Sequence, residues 1–125
     1  MFAALIVAPL LAAATSACMA TSPVTSPLTT ACRQCTEAAI DVTPRGAGAK
    51  VMDGDVIDRS GTCATRTFTC IGRQATIEWN LGDRGTEQDA GTGTATRTLV
   101  CTSEKTWIIQ PDNTVITDAT CATTG

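Results

Sequence analysis

The cysteines constrain this chain more than any other residue type. Seven occur among its 125 residues, which include no histidine, and six of them follow an apolar leader with the spacing Cys-x2-Cys-x27-Cys-x6-Cys-x30-Cys-x19-Cys. Structural zinc needs two close pairs or added histidines, and a redox Cys-x-x-Cys pair needs a helix N-terminus in an α/β fold; the sequence offers neither. An oxidising compartment and an even count suffice for structural disulfides. Three bridges are therefore predicted among Cys32, Cys35, Cys63, Cys70, Cys101 and Cys121.

The N-terminal segment is a predicted secretory signal peptide. Residues 1–14 are uncharged and almost wholly apolar, and small residues follow up to Ala20. Such a run is typical of a cleaved signal, and it is shorter than the roughly 20 apolar residues of a membrane-spanning helix. Cleavage after Ala20 removes Cys18, whereas cleavage after Ala17 retains it; a lipoprotein signal would carry leucine in place of Thr15. The mature chain is predicted to be secreted, without stable membrane insertion.

A linker rich in threonine, serine and proline follows at residues 21–31. Its composition is typical of an extended stalk that is O-glycosylated, and a disordered tail is the alternative. Neither asparagine of the chain begins an Asn-x-Ser/Thr sequon, so N-glycosylation is not expected. The predicted organisation is a signal peptide (1–20), a linker (21–31), a six-cysteine β domain (32–121) and a tail (122–125).

The β domain shows the period-two alternation of strands and no apolar helical stripe. In the segment 65–70, Phe68 and Cys70 share one face and threonines occupy the other. Threonine, valine and isoleucine, which favour pleated backbone, are frequent. The pattern predicts a small, disulfide-stapled, β-sandwich-like domain of about six or seven short antiparallel strands. The predicted strands are 65–70, 75–81, 94–102, 106–110 and 114–117, with weaker ones at 38–42 and 51–57.

Turns and loops are predicted where glycine, proline and asparagine cluster. Residues 44–48 would join the two weaker strands, and a type I turn at residues 111–113 would make a hairpin of the last two strands. Residues 82–93 are polar and glycine-rich, which predicts a long, exposed and mobile loop. The strand at 75–81 would place Ala75, Ile77, Trp79 and Leu81 on one face.

The residues around the cysteines have a recognisable arrangement. They are Cys32-Arg33-Gln34-Cys35, Gly61-Thr62-Cys63, Phe68-Thr69-Cys70, Thr98-Leu99-Val100-Cys101, Trp107 and Thr120-Cys121. Over residues 32–121 this arrangement resembles the six-cysteine (C-six) domain of nematode secreted proteins. The resemblance implies an extracellular domain without an assigned activity, and it brings no catalytic residues.

Disulfide pairing is implied by two resemblances. Some members of the C-six family lack the first and third cysteines together, which implies a bond between Cys32 and Cys63. The remaining four cysteines allow three connectivities. The C-terminal cysteines, with Trp107 between them, also resemble the end of complement-control (sushi) modules, in which alternate cysteines pair. That likeness implies Cys35–Cys101 and Cys70–Cys121; the set Cys70–Cys101 and Cys35–Cys121 stays open.

The absence of histidine excludes Ser-His-Asp and Cys-His sites and removes the commonest metal ligand. Carboxylates remain for general acid–base work. Residues 53–58 faintly suggest a calcium loop but lack the acid spacing and closing glutamate of an EF-hand, so a turn with solvated acids is preferred. No catalytic residue, metal or cofactor is predicted. The acids considered are Asp53, Asp55, Asp58, Glu78, Asp83, Glu87 and Asp89.

Charge and aromatic content bear on partners. A net charge of −3 without a basic patch, and no tyrosine, argue against nucleic-acid binding. Trp79 and Trp107 are interpreted as core residues packed over disulfides, or as a binding face if exposed. Arg66 and Arg97 alternate with threonines and are interpreted as outward-facing, either solvated or lining a binding surface.

Three functions compete on this sequence. The first is a noncatalytic extracellular module for interaction or structure, whose partner is an unknown extracellular protein or glycan. The second is a secreted effector, such as an inhibitor or defence-type protein, which would use the loop at 82–93. The third is a small carboxylate-based hydrolase, which needs two acids facing each other across a deep cleft.

Overall fold

The computed structural model of the protein describes residues 31–125. The predicted signal peptide, Cys18 and most of the linker lie outside these residues. The described chain contains nine strands and two short 3-10 turns, at Glu37–Ala39 and Asn80–Gly82. The strands are β1 (Ala49–Lys50), β2 (Gly54–Asp58), β3 (Thr65–Ile71), β4 (Thr76–Trp79), β5 (Gly85–Gln88), β6 (Thr94–Cys101), β7 (Trp107–Ile109), β8 (Thr114–Val115) and β9 (Ala119–Ala122).

The strands form two antiparallel sheets. One has the order β1-β9-β4-β5 and the other the order β2-β3-β6-β7-β8. Phe68 on β3 packs against Trp79 on β4 with ring centroids 6.0 Å apart, and Cys70 on β3 is bonded to Cys121 on β9. The two sheets therefore enclose one core. This confirms the predicted all-β, disulfide-stapled sandwich, with nine strands instead of six or seven.

Strands β3 and β6 form the centre of the five-stranded sheet. Their register places Thr67 opposite Thr98 and Thr69 opposite Thr96. The intervening Phe68 is fully buried, as the alternation predicts. Because successive side chains of a strand point to opposite sides, one face of this sheet lines the core and the other meets solvent.

The prediction of a weak strand at 38–42 is wrong. Residues Glu37–Ala39 form a 3-10 turn, and only Asp41 makes a strand-like bridge, parallel to Asp118. The carbonyls of this segment bond to side chains of the core, since Trp107 Nε1 donates to the Thr36 oxygen and Arg66 Nη1 to the Glu37 oxygen. The other weak strand, predicted at 51–57, is present as β2, which begins three residues later, at Gly54.

The prediction of a long mobile loop at residues 82–93 is also wrong. Strand β5 lies within it and pairs with β4. The remaining turn is organised by Asp89, whose carboxylate accepts backbone N–H bonds from Gly91, Thr92 and Gly93 at 2.7–2.9 Å. A carboxylate that satisfies three consecutive amides fixes a glycine-rich turn.

Strand β4 is shorter than predicted. Ala75, Ile77 and Trp79 are buried as expected, but Leu81 is 60% exposed, because the strand ends at Trp79 and Asn80 and Leu81 adopt positive φ. The Asn80 side chain explains the bend. It donates from Nδ2 to the Val115 oxygen and accepts the amide of Thr117, both at 2.8 Å.

The C-terminal elements include the predicted hairpin and one strand that the pattern missed. Strands β7 and β8 pair across a four-residue connection, residues 110–113, in which the Gln110–Pro111 bond is cis. Strand β9 lies between β1 and β4, and the boundary predicted after Cys121 falls inside it. Within residues 31–125 no helix has the length and apolarity to cross a membrane.

Candidate functional site

Three disulfides join elements that are distant in the sequence. Cys70–Cys121 connects the two sheets, with Cα atoms 5.5 Å apart. The other two fasten the N-terminal segment, one to the loop before β3 and one to the end of β6. Loops of this size make each bridge worth about 3–4 kcal/mol in the chain-entropy treatment. The pairs are those that the two resemblances implied: Cys32–Cys63, Cys35–Cys101 and Cys70–Cys121.

Arg66 is buried inside the sandwich, where it is 1% exposed. Its Nε and Nη2 atoms bind the two carboxylate oxygens of Asp55 at 2.7 and 2.8 Å. The guanidinium carbon lies 4.8 Å from the centre of the Phe68 ring and 5.9 Å from that of Trp107. Such a forked pair, completed by the bond to the Glu37 oxygen, stabilises a charge that burial alone would oppose.

The outward orientation predicted for Arg66 is therefore wrong. Position 66 has the parity of Phe68 and Cys70, so a strand must point all three side chains the same way. The prediction placed the arginine on the solvent side together with the threonines that alternate with it, although its position gives it the parity of the buried residues. Asp55, which supplies the countercharge, lies opposite Phe68 in the β2–β3 register and faces the same side.

The prediction for Arg97 fails for the same reason. It has the parity of the buried Ala95 and Leu99, and its side chain is half-buried. Its Nη1 is 3.0 Å from Glu87 Oε2 on β5, and its Nη2 donates to the Gln110 oxygen. Since β5 and β6 belong to different sheets, this ion pair joins the two layers.

Both tryptophans belong to the core. Trp79 and Trp107 are fully buried, so neither presents a ring to a ligand. The Trp107 indole N–H donates to the Thr36 oxygen at 2.9 Å, which fastens the N-terminal segment to β7. This burial agrees with the prediction that both tryptophans are core residues and not a binding face.

An open groove of about 640 Å³ runs beside the buried pair, between the segment Glu37–Thr43 and Asp55. It brings three acids to one area, and two of them are engaged with arginines. Asp55 binds Arg66, and Asp41 binds Arg45. Hydrogen bonds from the Thr43 side chain and amide, assisted by Arg45, hold the pKa of Asp41 below its ordinary value.

The acids considered for a calcium loop do not share one site. The carboxylate of Asp53 accepts from Lys50 Nζ at 2.8 Å and from the Ile71 amide at 2.7 Å, and these bonds lower its pKa. Asp58 accepts from the hydroxyl and amide of Ser60, which lower its pKa in turn. Each carboxylate thus has a neighbour within the fold.

One cluster in the described chain brings three residues with potential metal-ligand atoms together: Asp53, Cys70 and Cys121. Its two sulfurs are bonded to each other, so they have no thiolate to offer a cation. The acids of the second considered group are dispersed along the four-stranded sheet. Glu78 lies on β4, Asp83 follows the turn at 80–82, Glu87 binds Arg97 and Asp89 holds its own turn.

The architecture defines a class of protein: a small antiparallel β-sandwich held by three disulfides. Residues 11–121 match the family model described as the C6 domain, and the chain belongs to that family. It is 32% identical over 104 residues to the Caenorhabditis elegans "Uncharacterized protein R07B1.7", an alignment that covers 80% of this chain and 70% of the relative. No solved structure matches the chain.

Proposed function

We propose that this protein is a noncatalytic extracellular module that acts by binding or as a structural component. The observation that carries this proposal is the engagement of its carboxylates with other groups of the fold. Asp41, Asp55 and Glu87 each bind an arginine, and Asp53 binds Lys50. Carboxylates that are committed to such partners serve as structural ion pairs, which supports a binding or structural role.

Secretion is part of the same proposal. Three disulfides are typical of domains that fold in an oxidising compartment, and the apolar leader supplies a route to it. N-terminal sequencing of the chain recovered from the medium of a eukaryotic secretion host would test this. We expect a start at Thr21; retention of the full chain inside the cell would contradict secretion.

The binding role is tested by immobilising the disulfide-bonded chain and exposing it to the extracellular material of its source. The matched control is the same chain after reduction and alkylation. We expect a protein or glycan that the folded chain alone retains and that binds again after purification. No retained component, together with turnover of a glycan substrate by the folded chain, would overturn the noncatalytic proposal.

A second candidate, a secreted inhibitor, is favoured by the turn at residues 89–93. An inhibitor presents a preformed loop, and Asp89 holds this turn through three amides. The discriminating experiment is a panel of secreted hydrolases assayed with and without the folded chain. Inhibition that Asp89→Ala abolishes would favour the effector, and full activity of every hydrolase would favour the binding module.

A further inference from the structure

Strand β2 lies at one edge of the five-stranded sheet, and no other strand within residues 31–125 pairs with its free side, which we call the open edge. At five residues it is the longest strand at an edge of the two described sheets, since β5 has four residues and β1 and β8 have two each. A free edge is a template to which an extended peptide can add as a further strand. The open edge is therefore a candidate binding site.

The backbone groups that the open edge presents follow from the pairing pattern. In an antiparallel sheet, the residues of a strand bond alternately to its two neighbours. The Cys101 amide donates to the Ala64 oxygen at 2.9 Å, so the even-numbered residues of β3 bond to β6 and the odd-numbered ones to β2. Val56 therefore bonds to β3, whereas Asp55 and Ile57 direct their N–H and C=O groups to the open edge.

The groove of about 640 Å³ between Asp55 and the segment Glu37–Thr43 lies beside the open edge. The acids that line it are Glu37, Asp41 and Asp55. Arginines bind the last two of these acids. Glu37 is exposed and makes no ion pair within residues 31–125, so the groove keeps a negative charge that the described chain does not compensate.

A strand added to the open edge would direct its side chains alternately into this groove and toward solvent. The residue opposite Asp55 would enter the groove, where an ammonium or guanidinium group can reach Glu37 and the free lone pairs of the Asp55 carboxylate. The residue opposite Val56 would lie on the solvent side. An apolar side chain there would cover Val56, which is 63% exposed.

We infer that the open edge binds an extended peptide segment of another extracellular protein, in which basic and apolar residues alternate. The inference rests on the proposed function and names the class of partner for it. A second copy of the chain does not fit, because its own β2 would bring Asp55 and Asp58 toward the same acids, and like charges oppose strand pairing. A neutral peptide would gain the backbone bonds alone.

Titration of the ¹⁵N-labelled, disulfide-bonded chain with a blocked hexapeptide of alternating lysine and valine tests the inference. We expect shifts of the amides of Asp55, Ile57 and Glu37, saturation below about 1 mM, and constant shifts on β5. The same peptide with glutamate in place of lysine should not bind below about 1 mM.

Methylated peptides separate strand pairing from charge attraction. In the expected register the lysine amides donate to the open edge and the valine amides point away. N-methylation of the lysine amides should therefore raise the dissociation constant about tenfold, because hydrogen bonds are lost and the charge is kept. The matched control, N-methylation of the valine amides, should have a smaller effect.

A charge reversal in the groove provides the corresponding test on the protein. Glu37→Lys replaces the uncompensated acid and should raise the dissociation constant of the lysine–valine peptide about fivefold. The matched control is Glu104→Lys, which makes the same charge change at an exposed position between β6 and β7 and should leave binding unchanged.

Three results would overturn the inference. They are no binding of the lysine–valine peptide at about 1 mM, equal binding of the glutamate peptide, and equal effects of the two methylations or of the two lysine variants. The peptide series uses the unaltered chain, so it decides the matter even if Glu37→Lys fails to fold. A partner retained by the immobilised chain, without any peptide binding, would refute this inference and leave the proposed function supported.

Discussion

The two faces of β3 are formed by alternate residues of one strand, and they differ in their surroundings: one lines the core and the other meets solvent. Toward the core, Arg66, Phe68 and Cys70 are buried, and each has a specific partner: a carboxylate, an aromatic ring and a disulfide. Toward solvent, threonines alternate with them, and the hydroxyl oxygens of Thr67 and Thr98 lie 2.9 Å apart. The chain has thus placed its charge inside this sheet and its neutral residues outside, the reverse of the usual distribution.

This inversion shows that position along a strand outweighs residue type. A shift of the register by one residue would bring Thr67 into the core and expose Phe68. Arg66 can be buried because the side chain of Asp55, on the adjacent strand, lies where its two carboxylate oxygens accept hydrogen bonds from the guanidinium. The interior of the sandwich therefore depends on one specific pairing of β2, β3 and β6. The same pairing places the threonines of β3 and β6 on the solvent-facing side of the sheet.

The largest expected effect comes from removing the bridge between the sheets. Cys70→Ala with Cys121→Ala should lower the free energy of unfolding by about 4 kcal/mol, because the bond closes a loop of 51 residues. Alanine is preferred to serine, since both sites are buried. Urea denaturation at neutral pH measures the change. A loss below about 1 kcal/mol would mean that the sheets hold together without this bond.

The second-largest loss of stability is expected from breaking the ion pair between Asp55 and the buried Arg66. Asp55→Asn leaves the buried Arg66 guanidinium without its countercharge. We expect a loss of about 3 kcal/mol, at the lower end for a broken buried pair because the side chain of Asp55 is 26% exposed. The double variant Asp55→Leu with Arg66→Met removes both charges and should recover most of the loss. If Asp55→Asn has no effect in the same denaturation experiment, Arg66 is not confined to the core.

Acid should weaken the fold through its surface carboxylates. Hydrogen bonds from Lys50 and the Ile71 amide depress the pKa of Asp53 in the folded state. Burial would raise the pKa of Asp89, but the amides around it outweigh that effect and lower it. A depressed folded pKa gives stability that is complete above the unfolded value of about 4 and is lost as pH falls through the folded value.

Denaturation midpoints measured from pH 7 down to about pH 2 check this dependence. Asp53→Asn should flatten the acid limb of the curve. An unchanged slope in that variant would mean that Asp53 ionises alike in the folded and unfolded chain.

The smallest effect is expected on the solvent-facing side of β3. Thr67→Ala should lower the free energy of unfolding by about 1 kcal/mol at most, because alanine favours a strand less than threonine does and the Thr98 hydroxyl loses its neighbour. The adjacent Phe68→Ala should cost about 4 kcal/mol, because it empties a fully buried site. Thermal unfolding of both variants compares the two faces directly. Similar losses for the two would contradict the assignment of Thr67 to solvent.

Much of this fold could be predicted where a segment alternates. Strand β3 has a clear period-two pattern, and the hairpin of β7 and β8 combines residues that favour strands with a Pro-Asp-Asn turn. The even cysteine count indicates three bridges. Strand β5 was not predicted because Gly85–Gln88 is polar and lies in a glycine-rich segment. It is stabilised by pairing with β4, not by burial of its side chains. Strand β9 was not predicted because its small residues are buried at consecutive positions, so the sequence shows no alternation there.

The Arg66–Asp55 pair was accessible in principle but was missed. The parity of Arg66 with Phe68 and Cys70 is visible in the sequence, whereas its partner is set by the register of two strands that no local pattern reveals. The 3-10 turn at Glu37–Ala39 could not be predicted, since it depends on core side chains that bind its carbonyls.

Peptide mapping of the nonreduced chain tests the register of β3 and β6 most directly. In that register Cys70 lies opposite Ala95, six residues from Cys101, so these two cysteines cannot meet within the sheet. The account predicts peptides that join Cys70 to Cys121 and Cys35 to Cys101. A peptide that joins Cys70 to Cys101 would contradict the register, and with it the division between the buried arginine and the neutral, solvent-facing threonines.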